Sequence, residues 1–203
     1  MKCVVIGASV IENYSELKER VTESDFVIAC DGGLYHCEKA GIKPSLIVGD
    51  FDSHEKPKTD IETIVLPCEK DDTDTVYAVK EGLSRGYREF VLFGVTGKRL
   101  DHTLGNLSVL FMLKEAGATG VIVDGLCEIE AVGREPVKVE KEYSFFSLVN
   151  ITGTADGVEI RNAKYPLSDA SITPFYQYGI SNEPYSDCTV SVRNGYLLLI
   201  KVK

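Results

Sequence analysis

Asp50 and Asp52, in the run Gly49-Asp50-Phe51-Asp52-Ser53, stand one residue apart. In extended backbone, side chains two positions apart point the same way, so both carboxylates fall on one side of the chain. Paired hard oxygens of this kind suit Mg²⁺, which keeps several waters and completes its shell with carboxylate and phosphate oxygens. A bare Asp-x-Asp is also what a capped turn looks like, because Asp favours turns. The second acid block, Lys70-Asp71-Asp72-Thr73-Asp74, tips the balance. Carboxylates crowded together repel one another unless cations lie among them.

Two further blocks suit a phosphorylated ligand. Asp31-Gly32-Gly33 permits close backbone approach and left-handed dihedrals, as would any tight strand-to-helix turn. Gly94-Val95-Thr96-Gly97-Lys98-Arg99-Leu100-Asp101-His102 carries two cations in a Gly-rich loop, with a helix expected to start near Thr103. Backbone donors and cations at a helix start can hold polyphosphate. The plainer alternative is a solvated loop with Thr103 as helix cap, and His102 near a helix start suits a structural role equally well. No GxxxxGK[ST] loop occurs, no GxGxxG follows the first apolar run, which ends in Gly7-Ala8-Ser9, and no GxSxG elbow supports an esterase. Nucleotide must then be held by acids, metal and arginine.

The elements that position these blocks fall into two halves. Up to about residue 125, short β-branched runs at 3–6, 26–29, 46–48, 63–66, 90–93 and 121–123 alternate with helical patterns. Continuous apolar runs of this length suit strands buried on both faces of a parallel sheet. Thr73 can cap a helix that turns Val76, Val79 and Leu83 inward and stops at Gly86. A second helix carries Leu107, Leu110 and Phe111 inward and stops at Gly117. The expectation is a doubly wound, mostly parallel α/β sheet with helices on both faces. Ligands of such sheets bind beyond the carboxyl ends of the strands, where all four blocks lie.

From about residue 130 the pattern turns to short β-rich runs at 143–151, 157–160, 170–178 and 188–192. Asn194-Gly195 offers a two-residue hairpin turn before a last run at 196–202. This half reads as an antiparallel β-sandwich, with the division placed between residues 127 and 128.

Composition narrows the class. Lys and Arg number 22 against 31 Asp and Glu, a formal net charge of −9, which argues against a nucleic-acid footprint. No run approaches the roughly 20 apolar residues that span a bilayer, and the apolar run at the N-terminus is too short for a signal peptide. The six cysteines are scattered without a CxxC pair, so a reducing cytoplasm is the natural setting.

In this order the four blocks, together with Gly179-Ile180-Ser181-Asn182-Glu183, resemble the thiamine pyrophosphokinase family over nearly the whole chain. The resemblance implies an N-terminal ATP-binding catalytic α/β domain, a C-terminal β-sandwich that completes a thiamine pocket, and a homodimer. It implies Asp50, Asp52 and Asp71 as Mg²⁺ ligands, and Asp31, Gly32, Gly33, Lys70, Asp74, Thr96, Gly97, Lys98, Arg99, Asp101, His102 and Asn106 around the nucleotide. Ser181 and Asn182 would face thiamine. The sequence departs from the bacterial pattern in carrying Pro174-Phe175-Tyr176-Gln177-Tyr178 before this last block, and it has no Trp. The implied reaction carries the terminal pyrophosphate of ATP to the thiamine hydroxyl, with AMP leaving. Arg99 would clamp phosphate, and either Asp74 or Asp101 would accept the hydroxyl proton. Rival readings are a pyrophosphokinase acting on a hydroxymethylpterin, an Asp-x-Asp nucleotide-sugar transferase, and a nucleotide-sensing module without turnover.

Overall fold

The computed structural model describes residues 1–51, 58–69, 71–97 and 99–203, and these divide into two compact units, Met1–Gly125 and Leu126–Lys203. Asp52, Lys70 and Lys98 lie outside the described residues.

In the first unit the apolar runs become six strands: β1 (Cys3–Ile6), β2 (Phe26–Cys30), β3 (Leu46–Gly49), β4 (Glu62–Val65), β5 (Glu89–Phe93) and β6 (Thr119–Asp124). All pair in parallel, in the spatial order β4-β3-β2-β1-β5-β6. Every residue of β1 and β3 is buried, as strands covered on both faces require. The helices are α1 (Tyr14–Arg20), α2 (Gly33–Ala40), α3 (Asp74–Ser84) and α4 (Leu100–Glu115). Leu17 of α1 and Cys37 and Ala40 of α2 pack with Val4, Ile6, Val27 and Ala29 on one face of the sheet. On the other face, Gly82 of α3 lies against Phe90 and Cys3, and Leu113 of α4 against Gly120.

Helix ends explain the local register. Thr73 caps α3 as its position suggests, its hydroxyl accepting the Val76 N–H at 3.2 Å. The start of α4 differs from the expected one. The helix begins at Leu100, not near Thr103, and Thr103 uses its hydroxyl to accept the Gly97 N–H at 3.0 Å. Thr103 thus ties the preceding loop to the helix instead of capping it. Gly33 is required where α2 meets the end of β1, because a Cβ there would stand 1.9 Å from the Ile6 carbonyl oxygen.

The second unit holds β7 (Cys127–Val132), β8 (Val137–Val139), β9 (Phe145–Val149), β10 (Ala155–Ala163), β11 (Leu167–Ile172), β12 (Gly179–Asn182), β13 (Pro184–Asn194) and β14 (Leu197–Val202). One antiparallel layer runs β12-β9-β14-β7 and the other β11-β10-β13-β8. Phe146, Leu148, Leu197 and Leu199 of the first layer share a dry core with Val158, Ile160, Val190 and Val192 of the second. The expected hairpin at Asn194-Gly195 does not form. β13 pairs with β10 and β8, whereas β14 pairs with β7 and β9, so this turn carries the chain from one layer to the other. Two-residue turns of this composition fit a crossing as well as a hairpin; the partner strands decide.

Candidate active site

The chain moves outward from β1 to β4 and then returns to place β5 on the opposite side of β1. At such a reversal the loops beyond the carboxyl ends part and leave a crevice. A cleft of about 490 Å³ opens there, within the few-hundred to thousand Å³ range of small-ligand sites. It is lined by the loop after β1 (residues 7–10), Cys30 and Asp31 after β2, Asp50 after β3, residues 73–75 at the start of α3, Gly94 after β5, and Arg99, His102 and Asn106 of the α4 region.

Backbone hydrogen bonds hold these loops side by side. Gly7 N–H donates to Phe93 O and Ser9 N–H to Gly94 O, both at 2.8 Å, and Asp31 N–H donates to Val48 O at 2.8 Å. Gly94 has φ +62°, and a Cβ there would lie 2.7 Å from Gly7 O. Asp31 (φ +45°) and Phe51 (φ +53°) adopt the left-handed region without being glycine. Such residues store about 1–3 kcal/mol of strain each and cluster at functional sites.

Side chains sort the expected residues into two sets. Asp31, Asp50, Asp74, Arg99, His102 and Asn106 reach the cleft lining together. Asn106 is buried and donates from Nδ2 to Val95 O at 2.7 Å, so part of its amide shapes the loop beyond β5. Asp71 and Asp101 are exposed and stand outside the lining, as do Gly32, Gly33, Thr96 and Gly97. Gly32 and Gly33 serve the start of α2. Thr96 donates its hydroxyl to Asp124 Oδ2 at 2.7 Å, at the end of β6. Among the described residues no group of three or more His, Cys, Asp or Glu is gathered closely enough to hold a metal ion by itself. Of the expected metal carboxylates, Asp50 alone is described as lining the cleft.

Arg99 and Asp101 form a bidentate pair, Nε to Oδ1 at 2.9 Å and Nη2 to Oδ2 at 2.6 Å. The hydrogen bonds from Arg99 hold the Asp101 carboxyl well below the usual carboxylate range, which makes it a poor proton acceptor at neutral pH. Burial, and then the charge of Asp74, push the Cys30 thiol well up, so this cleft cysteine stays a neutral small hydrophobe.

Sequence patterns missed the loop after β1, the cleft's longest lining segment. From the sequence, Gly7-Ala8-Ser9 is only the turn that ends the first apolar run. These patterns also missed Asp124, whose position at the end of a strand next to β5 was the available signal.

In the second unit, the expected Ser181 and Asn182 part company. Ser181 is exposed with φ +56°. Asn182 is buried, and its Oδ1 accepts the N–H groups of Tyr165 and Glu183, both at 3.0 Å. Its Nδ2 donates to Tyr165 O at 2.8 Å. Three of the four hydrogen-bonding positions of the amide are spent on backbone, so Asn182 is a structural clamp and not a side chain turned toward a ligand.

Comparison with known proteins bears on the whole chain. The family model described as the thiamin pyrophosphokinase catalytic domain matches residues 17–122, and that of the vitamin B1 binding domain matches residues 136–197. A thiamine pyrophosphokinase of Bacillus subtilis (strain 168) is 29% identical over 211 residues, covering 99% of each chain. The crystal structure of a Geobacillus thermodenitrificans thiamin pyrophosphokinase matches with a TM-score of 0.86 at 28% identity, over 100% of this chain and 98% of that one. A Bacillus subtilis thiamine pyrophosphokinase structure matches with a TM-score of 0.88 at 24% identity, over 100% and 99%. With the catalytic-domain model alone spanning more than half of its residues, the chain belongs to the thiamin pyrophosphokinase family.

Proposed function

We propose that this chain transfers the pyrophosphoryl group of ATP to the hydroxyethyl oxygen of thiamine, giving thiamine diphosphate and AMP. The observation that carries this reading is the meeting of Asp31, Asp50, Asp74, Arg99 and His102 from successive strand ends in one cleft. It is supported by matches to both halves of the family. Transfer of this kind asks the protein mainly for positioning and charge stabilisation. Arg99 exchanges Asp101 for the polyphosphate in the cleft that residues 7–10 and Gly94 help to line. Asp74, at the first turn of α3 and in the cleft lining, takes the proton from the acceptor hydroxyl, whereas Asp101 stands outside that lining.

The donor set fits a divalent cation. Asp31, Asp50 and Asp74 put hard carboxylate oxygens into the cleft, where a polyanion is repelled unless a cation intervenes. Mg²⁺ would be held by Asp50 with Asp52 and Asp71 and would neutralise charge on the phosphates. Ser181 contacts thiamine, residues 1–127 form the ATP-binding catalytic domain, and residues 128–203 form the thiamine-binding one. The chain works as a cytoplasmic homodimer without nucleic-acid or membrane partners. No helix among the described residues is long and apolar enough to cross a membrane. The deciding experiment mixes protein, ATP, Mg²⁺ and thiamine and separates the nucleotides. AMP in step with thiamine diphosphate is expected. Stoichiometric ADP, or turnover with a hydroxymethylpterin and none with thiamine, overturns the proposal.

A further inference from the structure

The loop after β5 carries Gly94 into the cleft lining and ends at Arg99, so its shape decides where the guanidinium stands. Three consecutive residues of this loop are each held by a side chain outside it. Asn106 Nδ2 donates to Val95 O at 2.7 Å, Thr96 donates its hydroxyl to Asp124 Oδ2 at 2.7 Å, and Thr103 Oγ1 accepts the Gly97 N–H at 3.0 Å. Two of these anchors, Thr103 and Asn106, sit on α4 and travel with the helix that Arg99 begins. The third comes from the sheet. β5 and β6 pair in parallel up to Phe93 with Val123, so Asp124 stands one residue beyond the last pair, level with the start of the loop.

We infer that Asp124 is a positioning residue for Arg99: by accepting the Thr96 hydroxyl it fixes the loop after β5 to the sheet and aims the guanidinium at the polyphosphate. This rests on the reading of the cleft as an ATP site. A threonine hydroxyl has a single proton. Spent on Asp124, it is not available to a phosphate oxygen, so Thr96 acts on the nucleotide through the loop and not by touching it. A carboxylate suits the task, since a hydrogen bond to a charged acceptor is about twice as strong as one between neutral groups. The loop's own make-up creates the need for such a tie. Gly94 (φ +62°) and Gly97 (φ +144°) both take backbone that other residues rarely adopt, and each glycine widens the choice of conformations open to the segment. The Arg99–Asp101 pair lies within one helix start, so it cannot orient that start against the sheet.

The test is a set of mutant cycles in the intact chain, with turnover of Mg²⁺–ATP and thiamine as one readout and amide NMR as the other. Thr96→Val keeps the side chain's shape and removes the proton, Asp124→Ala removes the acceptor, and Asp124→Asn keeps an oxygen that can accept. A misplacement of about 1 Å can cost up to about 10²-fold in rate, so Thr96→Val and Asp124→Ala should each lower kcat roughly tenfold, with the KM for thiamine unmoved. Combining them should cost no more than either alone, as for two halves of one bond. In the Arg99→Ala background neither should cost more than about twofold, because the group they aim is gone. Asp124→Asn should recover most of the loss. The Gly97 and Arg99 amide resonances should move the same way in Thr96→Val and Asp124→Ala. Additive losses, or a loss in Thr96→Val with none in Asp124→Ala, would make Thr96 a direct phosphate donor and overturn the inference. Losses undiminished in the Arg99→Ala background, or amides that stay in place, overturn it too. Should Asp124→Ala fail to fold, Thr96→Val with and without Arg99→Ala decides alone. A wild type that turns over no ATP overturns the nucleotide reading of the cleft, and with it the aim at polyphosphate, while matched amide shifts leave the tie standing.

Discussion

Asn182 grips Tyr165 by both of its backbone polar groups, accepting its N–H at 3.0 Å and donating to its carbonyl at 2.8 Å. A side chain here does the work of a neighbouring strand, and the neighbouring Ser181 is left exposed. Removing the amide strands several backbone groups in a site where Asn182 is 3% exposed. Asn182→Ala is therefore expected to lower stability by about 2–4 kcal/mol, read as a lower urea midpoint. Ser181→Ala should leave that midpoint in place and raise the KM for thiamine alone. A normal urea midpoint in Asn182→Ala would contradict the clamp.

Arg99 is 69% exposed in its side chain and, among the described residues, is paired within its own helix start, with Asp101. An ion pair this exposed contributes little to the fold, so the residue's value lies in what it can exchange the pair for. Arg99→Ala should cut turnover by roughly 10²-fold, the usual loss when one preorganised donor to a developing charge is removed. The thermal midpoint should not move. Turnover within a few-fold of wild type would take Arg99 out of the phosphate site.

Asp50 places its carboxylate in the cleft beside Asp31 and Asp74. Excess EDTA should abolish turnover, and added Mg²⁺ should restore it. Asp50→Asn should raise the Mg²⁺ concentration needed for half-maximal rate by more than tenfold, with the circular dichroism spectrum unchanged. Activity that survives EDTA would remove the metal from the scheme.

Asp25 joins the start of β2 to the N-terminus, its carboxylate accepting from Lys2 Nζ at 2.9 Å and from the Thr22 N–H at 2.9 Å. Burial raises its pKa, but the bonds from Lys2 and Thr22 outweigh it and hold the carboxyl well below the usual range. A depressed folded pKa stabilises above the unfolded value of about 3.9 and is lost as pH falls below it. Urea midpoints of wild type and Asp25→Asn should differ at pH 7 and converge between roughly pH 4 and pH 2. A constant gap down to pH 2 would mean that Asp25 acts without its charge.

Local sequence settled whatever depends on neighbours in the chain. Apolar runs such as Cys3–Ile6 and Leu46–Gly49 became buried parallel strands, because no other arrangement covers both of their faces. Thr73 capped α3, and the acid and glycine blocks fell at strand ends because glycine and aspartate tolerate the turns made there. What required the tertiary structure was the direction of each side chain and the partner of each strand. Asp74 enters the cleft while Asp71, on the same loop, is exposed outside it. Asn182 turns to Tyr165, and the strand after Asn194-Gly195 joins the other layer. The loop at residues 7–10 became a cleft wall only because β5 and the start of α2 close on it from other parts of the chain. Periodicity encodes the backbone an element adopts. Hydrogen bonds between residues far apart in sequence choose what its side chains meet, and no local pattern carries that choice.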